Sequence, residues 1–289
     1  MLSAVILAPG AGASRPARDR SAYAGLGTWL DIYATASWAH PQQDVAAMAR
    51  DGVRTLYLQT GNYSQQVDLV RRAALGRFVD AAHADGLRVV AWYLPSLADP
   101  AQDTRRALAA IRFSTPRGEH FDSFALDIEA SIVPSIRLRN SRLLSLSARL
   151  RAAVGRRYAL GAIVPSAVGM RRHPRYWPRF PYRGLARDYD VFLPMAYATD
   201  AGVRGSAATR AYNAADIAAI RSHTGEPQVP IHLIGGLADA MGPRETAGFM
   251  RAVADCSPVG YSLYEFPLTG SAAWRALEAP HSASSASCS

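Results

Sequence analysis

The chain contains no lysine: all 32 of its basic residues are arginine. That absence removes Schiff-base chemistry on a lysine, a phosphate-loop lysine and a lysine general base. Cysteine is nearly missing too. Cys256 and Cys288 are the two present, too few for a disulfide framework or a cysteine zinc site, and they allow at most one bridge. The seven histidines show no metal-ligand spacing, so neither a metal nor a cofactor is expected. No Gly-x-Ser-x-Gly elbow is found, which disfavours serine hydrolases of that type. No apolar run approaches the roughly 18 residues that span a bilayer, so no integral membrane segment is expected.

What the chain has is length, apolar content and positive charge. It has 289 residues, 49% of them hydrophobic and 19% charged, which supports a large core and excludes global disorder. A net charge of +9 invites a nucleic-acid reading. The arginines, however, fall in scattered pairs such as Arg71-Arg72, Arg105-Arg106, Arg156-Arg157 and Arg171-Arg172. With no basic stripe and no recognition motif, nucleic acid is not expected as a partner.

Residues 1–24 read as a signal-peptide remnant or a disordered extension. An apolar run from Leu2 to Leu7 precedes the small residues Ala11-Gly12-Ala13, but a positive n-region is lacking. This favours a secreted or cell-surface protein, with a cytoplasmic one as the alternative. Residues 280–289 form a Ser/Ala tail too poor in apolar residues to order itself. One domain, residues 25–279, is left between them, and a monomer is expected.

Within it a motif repeats. Asp51-Gly52-Val53-Arg54-Thr55-Leu56-Tyr57-Leu58 is echoed by Asp85-Gly86-Leu87-Arg88-Val89-Val90-Ala91-Trp92. Each follows a helical pattern, carries Gly where a helix C-terminal cap falls, and runs into an apolar strand. Eight strands are predicted: 27–33, 53–59, 88–94, 123–129, 158–164, 191–197, 230–235 and 260–265. Helices are predicted at 42–50, 66–84, 102–112, 141–154, 209–221, 244–254 and 272–277. Asn140 and Gly155 read as the caps of the fourth helix. The fifth connection, 165–189, shows none. Alternating strands and helices imply a parallel sheet, and eight units in about 255 residues suit an α/β fold of one closed (β/α)8 barrel, the TIM-barrel architecture. The first strand runs into Asp31-Ile32-Tyr33-Ala34 rather than a glycine-rich phosphate turn, which disfavours an open dinucleotide-binding sheet.

A barrel carries its chemistry at the C-terminal ends of its strands. The fourth strand ends Phe124-Ala125-Leu126-Asp127-Ile128-Glu129. Side chains alternate along a strand, so Ala125, Asp127 and Glu129 share one face while Phe124, Leu126 and Ile128 pack against helices. Two inward acids resist ionising together, which separates their pKa values into an acid and a base, as glycoside hydrolysis requires.

Phe121 to Glu129 resembles the fourth-strand signature of the family-18, chitinase-like glycoside hydrolases: Phe-Asp-Gly, an apolar residue, then Asp-x-Asp-x-Glu. Asp122, Asp127 and Glu129 match its first Asp, last Asp and Glu; Ser123 and Ala125 depart from it. Phe192-Leu193-Pro194-Met195-Ala196-Tyr197 resembles the Met-x-Tyr of the sixth strand, with Ala198 where an Asp follows. Asp31 resembles the first-strand acid of the family-25, muramidase-like hydrolases. The resemblance implies Glu129 as general acid. It makes Asp127 the group that orients a substrate N-acetyl carbonyl acting as nucleophile, and Tyr197 a donor to the reacting group. The chain is thus expected to be a glycoside hydrolase-like barrel related to both families.

Asp31, Tyr33, Gln59, Tyr93, Tyr264 and Glu265, at or near strand ends, are candidate substrate-binding residues. Arg171, Arg172, Arg175, Arg179 and Arg183, interleaved with Tyr176, Trp177, Phe180 and Tyr182, are either a cleft wall or a proline-stiffened loop. His232 reads as a core residue. The expected function is hydrolysis of a polysaccharide, of cell-wall or aminosugar-containing type. The alternative is a carbohydrate-binding pseudoenzyme, which Ala125 and Ala198 suit.

Overall fold

The computed structural model describes residues 19–278 and residue 288. The export and tail expectations, Cys288 apart, lie outside the described residues. The eight strands are β1 (Gly25–Leu30), β2 (Thr55–Asn62), β3 (Arg88–Leu94), β4 (Ser123–Asp127), β5 (Leu160–Pro165), β6 (Val191–Met195), β7 (His232–Leu237) and β8 (Gly260–Tyr264). All neighbours pair in parallel, and β1 closes onto β8. This is the single (β/α)8 barrel read from the sequence.

The helices are α1 (Thr35–Ala39), α2 (Pro41–Arg50), α3 (Arg72–Ala84), α4 (Pro100–Ile111), α5 (Ile136–Val154), α6 (Ala167–Arg172), α7 (Tyr182–Leu185), α8 (Ser206–Thr224), α9 (Pro243–Cys256) and α10 (Ser271–Glu278). Gly52 and Gly86 terminate α2 and α3 at φ +74° and +76°, a backbone state that costs glycine little, as the repeat implies. Three boundaries differ from the sequence reading. Helix α5 starts five residues earlier, because Ser135 rather than Asn140 accepts the capping N–H, from Leu138. Helix α3 starts six residues later: the Val70 N–H bonds the Thr60 carbonyl at 3.0 Å, and Arg71 takes the left-handed backbone (φ +43°), which no right-handed helix passes through. The fifth connection holds two short helices, α6 capped by Ser166 at the Gly169 N–H (2.9 Å).

Two apolar layers sit inside and outside the sheet. Phe124, Leu126 and Ile128 join the layer between strands and helices, as strand alternation requires. The lumen is filled by Trp29, Tyr57, Trp92, Ala125, Ile163 and Leu193. Trp29 stacks on Tyr57 at 4.2 Å and meets Trp92 edge-on at 5.9 Å. Trp92 is register-paired with Ala125, so the small residue on β4 stands beside the large one on β3.

The chain already packs onto the barrel ahead of β1. Ser21–Tyr23 form a 3-10 turn, and fully buried Tyr23 plugs the lumen floor. Its hydroxyl lies 2.7 Å from Ser123 Oγ and donates to the Phe124 carbonyl at 3.0 Å. His232 is a satisfied core residue, as expected: Nδ1 lies 2.9 Å from the Tyr23 carbonyl and Nε2 2.9 Å from Ser262 Oγ. Burial pushes its pKa down to about 4. Cys256, at the end of α9, is bridged to Cys288, so the one bridge the composition allows is formed.

Candidate active site

Asp127 is the last residue of β4, and Glu129 follows just beyond the strand, both on the lumen side above Ala125. Asp127 is 5% exposed, and its Oδ1 has no hydrogen-bond partner among the described residues. Burial raises its pKa well above the usual carboxylate range, and the Glu129 charge adds to it. Burial also raises Glu129. The pair therefore holds a proton more tightly than two solvated carboxylates would.

Tyr197 lies just past β6 and faces the same space. Burial raises its pKa first, and the charges of Asp127, Glu129, Asp200 and Glu265 act in the same direction. One phenol thus stands in the field of four carboxylates, from the ends of β4 and β8 and from the loop after β6. Its ring is 6.5 Å from that of Tyr264. The Tyr264 hydroxyl donates to Asp31 Oδ2 at 2.9 Å, while Asp31 Oδ1 accepts the N–H groups of Tyr33 (2.7 Å) and Ala34 (3.0 Å). Glu265 accepts the Asp31 N–H at 3.3 Å; burial and then the Asp31 charge push its pKa up to about 7.

A cavity of about 680 Å³ opens beside β5 and β6, with Glu129 and Tyr197 of this cluster in its wall next to Met195, Asp200, Arg172 and Tyr212. That volume suits a small number of sugar rings. Asp200, exposed after Ala198, brings a carboxylate to the cavity by a different route from the Met-x-Tyr-Asp order.

The structure gathers Asp127, Glu129, Tyr197, Tyr264, Glu265 and Asp31 around one mouth. Tyr33 is on the rim, 65% exposed, its hydroxyl accepting from Asn62 Nδ2 at 2.9 Å. Gln59 is 2% exposed, and its side-chain oxygen accepts the Ile32 N–H at 2.9 Å, so it braces the end of β1. Tyr93 does not belong to the site. On β3 the inward residue is Trp92, so Tyr93 turns outward to the helices, where its hydroxyl donates to buried Asp103 at 2.8 Å. Asp122 precedes β4, at the opposite end of the barrel, bonded to His83 and Arg88.

One contributor, Tyr176, belongs to the segment that sequence reasoning left as a cleft wall or a stiffened loop; two others, Tyr212 and Asp216, it passed over. Tyr176, from the fifth connection, donates its hydroxyl to the Glu129 carbonyl and lines the cavity. Tyr212 on α8 meets Ser166 Oγ at 2.9 Å, and Asp216 accepts from Ser166 (3.1 Å) and from the Val168 N–H (2.9 Å). An Asp in the buried stripe of α8 was the available signal, since an acid there needs partners. No group of three or more His, Cys, Asp or Glu among the described residues is arranged to hold a metal ion. No described helix is long and apolar enough to cross a membrane.

No family profile matches the chain, and no curated protein matches it. Solved structures do. An endo-β-1,4-mannanase from Thermotoga petrophila superposes with a TM-score of 0.64 at 11% identity, over 86% of this chain and 69% of that one. A chitinase from Chromobacterium violaceum gives 0.59 at 14% identity, over 88% and 98%. The PgaB glycoside hydrolase domain from Bordetella bronchiseptica gives 0.58 at 13% identity, over 88% and 98%. The chain therefore has a glycoside hydrolase-like barrel fold, and the likeness at these identities is one of fold.

Proposed function

We propose that the chain is a glycoside hydrolase acting on a polysaccharide, with Glu129 as the general acid. The observation that carries this reading is the desolvated Asp127–Glu129 pair, which holds a proton at the barrel mouth beside a cavity large enough for sugars. A carboxyl whose proton burial holds more tightly can deliver it to a glycosidic oxygen as the bond to the ring carbon breaks. Tyr197 is aimed at the same space, and its raised pKa keeps it a hydrogen-bond donor. Asp127, buried next to Glu129, is by the resemblance the group that orients the amide of an aminosugar unit. In that case the acetamido carbonyl serves as nucleophile and Asp127 orients it. Asp31, Tyr264 and Glu265 flank the opposite side of the mouth as substrate contacts, with Tyr33 at its edge.

A working place outside the cytoplasm fits the Cys256–Cys288 bridge. The fold neighbours act on or are named for glycans, which supports a carbohydrate partner. Reducing-sugar release across a panel of neutral, aminosugar and cell-wall polysaccharides tests the reading. Hydrolysis of one of them should fall by about 10³-fold or more in Glu129→Gln. Activity that survives this change sinks the assignment. A second reading, a carbohydrate-binding protein without turnover, is favoured by Ala125, which seats the Trp92 ring where related barrels carry an acid. Saturable oligosaccharide binding with no product release selects it.

A further inference from the structure

A second cavity, of about 730 Å³, opens on the barrel flank beyond α6. Helix α6 separates the two spaces: Met170 borders both, Arg172 faces the Glu129 cavity, and Arg171 faces the second. Three arginines line the second cavity, Arg171, Arg179 and Arg183, together with Phe180, Tyr182 and His223, and no Asp or Glu does.

These arginines differ from the structural ones. Arg106, Arg139 and Arg151 are buried, and their guanidiniums bond main-chain carbonyls. Arg171, Arg179 and Arg183 are exposed, and among the described residues their guanidiniums make no ion pair and donate no hydrogen bond. The acid whose field reaches Arg171 and Tyr182, Asp216, is fully buried and held by Ser166 and Val168. A second, independent feature points to a ligand: Tyr182 is 6% exposed, and its buried hydroxyl has no partner among the described residues. An orphaned hydroxyl in a wall of unpaired guanidiniums is the complement of an anionic group with several acceptor oxygens. The Phe180 ring gives the apolar face of a sugar a surface on which to stack.

We propose that this cavity binds an acidic unit of a saccharide strand, a sugar bearing a carboxylate or a phosphate, whose neighbouring units occupy the cavity at Glu129. The proposal rests on the glycoside hydrolase reading for the second half of that statement alone. The guanidinium fork accepts carboxylate and phosphate alike, and Met170, common to both walls, makes the spaces adjacent. The residual positive charge of the chain then has a function in one place, on the fifth connection.

The test measures dissociation constants by calorimetry, with the Glu129→Gln protein to prevent turnover. The probes are hexagalacturonate, a phosphorylated mannose oligomer, a neutral cellohexaose and a DNA oligomer of equal charge. At least one acidic saccharide should bind, and the arm that binds tells carboxylate from phosphate. Cellohexaose should bind at least tenfold more weakly. A Arg171→Ala/Arg179→Ala/Arg183→Ala variant should lose about tenfold in affinity for the acidic oligomer, with a flatter salt dependence. Its melting temperature should stay within a few degrees of the parent, because all three side chains are exposed. Unchanged affinity in the triple variant, no binding of either acidic saccharide, or DNA binding as tight as theirs overturns the proposal. Intact hydrolysis in Glu129→Gln together with arginine-dependent acid binding would remove Glu129 as the general acid and leave this proposal standing.

Discussion

Replacing Glu265 by glutamine separates the charge of this carboxyl from its shape. Glu265 is 8% exposed, accepts the Asp31 N–H at 3.3 Å, and lies in the fields of Asp31 and Asp239. Burial, and after it repulsion from Asp31, pushes its pKa from 4.5 to about 7. The folded protein therefore holds this proton more tightly than the unfolded chain does. The resulting stability is fully present below about pH 4.5 and is lost as pH rises through about 7. The interval from 4.5 to about 7, at about 1.4 kcal/mol per pH unit, amounts to about 3 kcal/mol by pH 8. Glutamine keeps an oxygen for the Asp31 N–H and does not titrate. Glu265→Gln should thus melt close to the parent at pH 4.5. At pH 8 it should melt about 6 °C higher, taking about 2 °C per kcal/mol for a domain of this size. Thermal unfolding of both proteins, followed by circular dichroism at the two pH values, reads this difference. A melting-temperature difference that is the same at pH 4.5 and pH 8 would refute the argument that the carboxyl is held protonated by its surroundings. A destabilising acid kept at a barrel mouth is the kind of strain that function retains, so the same variant should lose hydrolysis while gaining stability.

Tyr197→Phe removes the hydroxyl that faces the carboxylate cluster, and kcat should fall by about 10²-fold with little change in KM, measured on the substrate that Glu129→Gln inactivates. At the opposite end of the barrel, the His83 pKa is raised, chiefly by its hydrogen bond to Asp122 and then by Glu119, against the effect of burial. Its contribution to stability is complete below about pH 6.5 and is lost as pH rises through the raised value. His83→Gln should therefore flatten the fall in melting temperature over pH 6 to 8; an unaltered slope contradicts the ion cluster. A methyl group on Gly260 would fall 2.2 Å from the Tyr23 carbonyl and 2.3 Å from His232 Nδ1. Gly260→Ala should lower stability by about 3 kcal/mol or leave the protein insoluble, whereas a soluble variant of parental melting temperature would mean that the floor plug is not rigidly packed.

Much of the barrel was legible in local patterns. Strand β3 was readable to both ends, because Arg88 and Leu94 bracket a continuous apolar run that only a doubly covered strand produces. The glycines at 52 and 86 marked helix ends, since a backbone at positive φ selects that residue. The start of α3 was not legible. It is set by the bond of the Val70 N–H to the Thr60 carbonyl and by the left-handed backbone of Arg71, neither of which the hydrophobic pattern announces. Within the site, the shared face of the Asp-x-Glu on β4 could be read by alternation, whereas Tyr197 was found only through the resemblance of its strand to a Met-x-Tyr motif. Tyr93 could not, because the run Val89–Leu94 is apolar on both faces and gives no parity; register against β4 turns Trp92 inward and Tyr93 outward.

From its residues alone, the chain was bound to alternate strands and helices, to close eight units into one sheet, and to project two acids from the fourth strand on the side away from Phe124 and Leu126. These follow from periodicities of two and 3.6 residues, which are local. Tertiary structure decided which carboxyls keep a proton, because desolvation depends on what surrounds a group in space. It also decided that Gln59 and Tyr93 serve the scaffold, and that Tyr176 holds the main chain at Glu129. Whether an arginine is structural or available was settled in the same way. Arg106 and Arg171 are alike in sequence, but one is buried against three carbonyls while the other opens onto a cavity without a counter-charge.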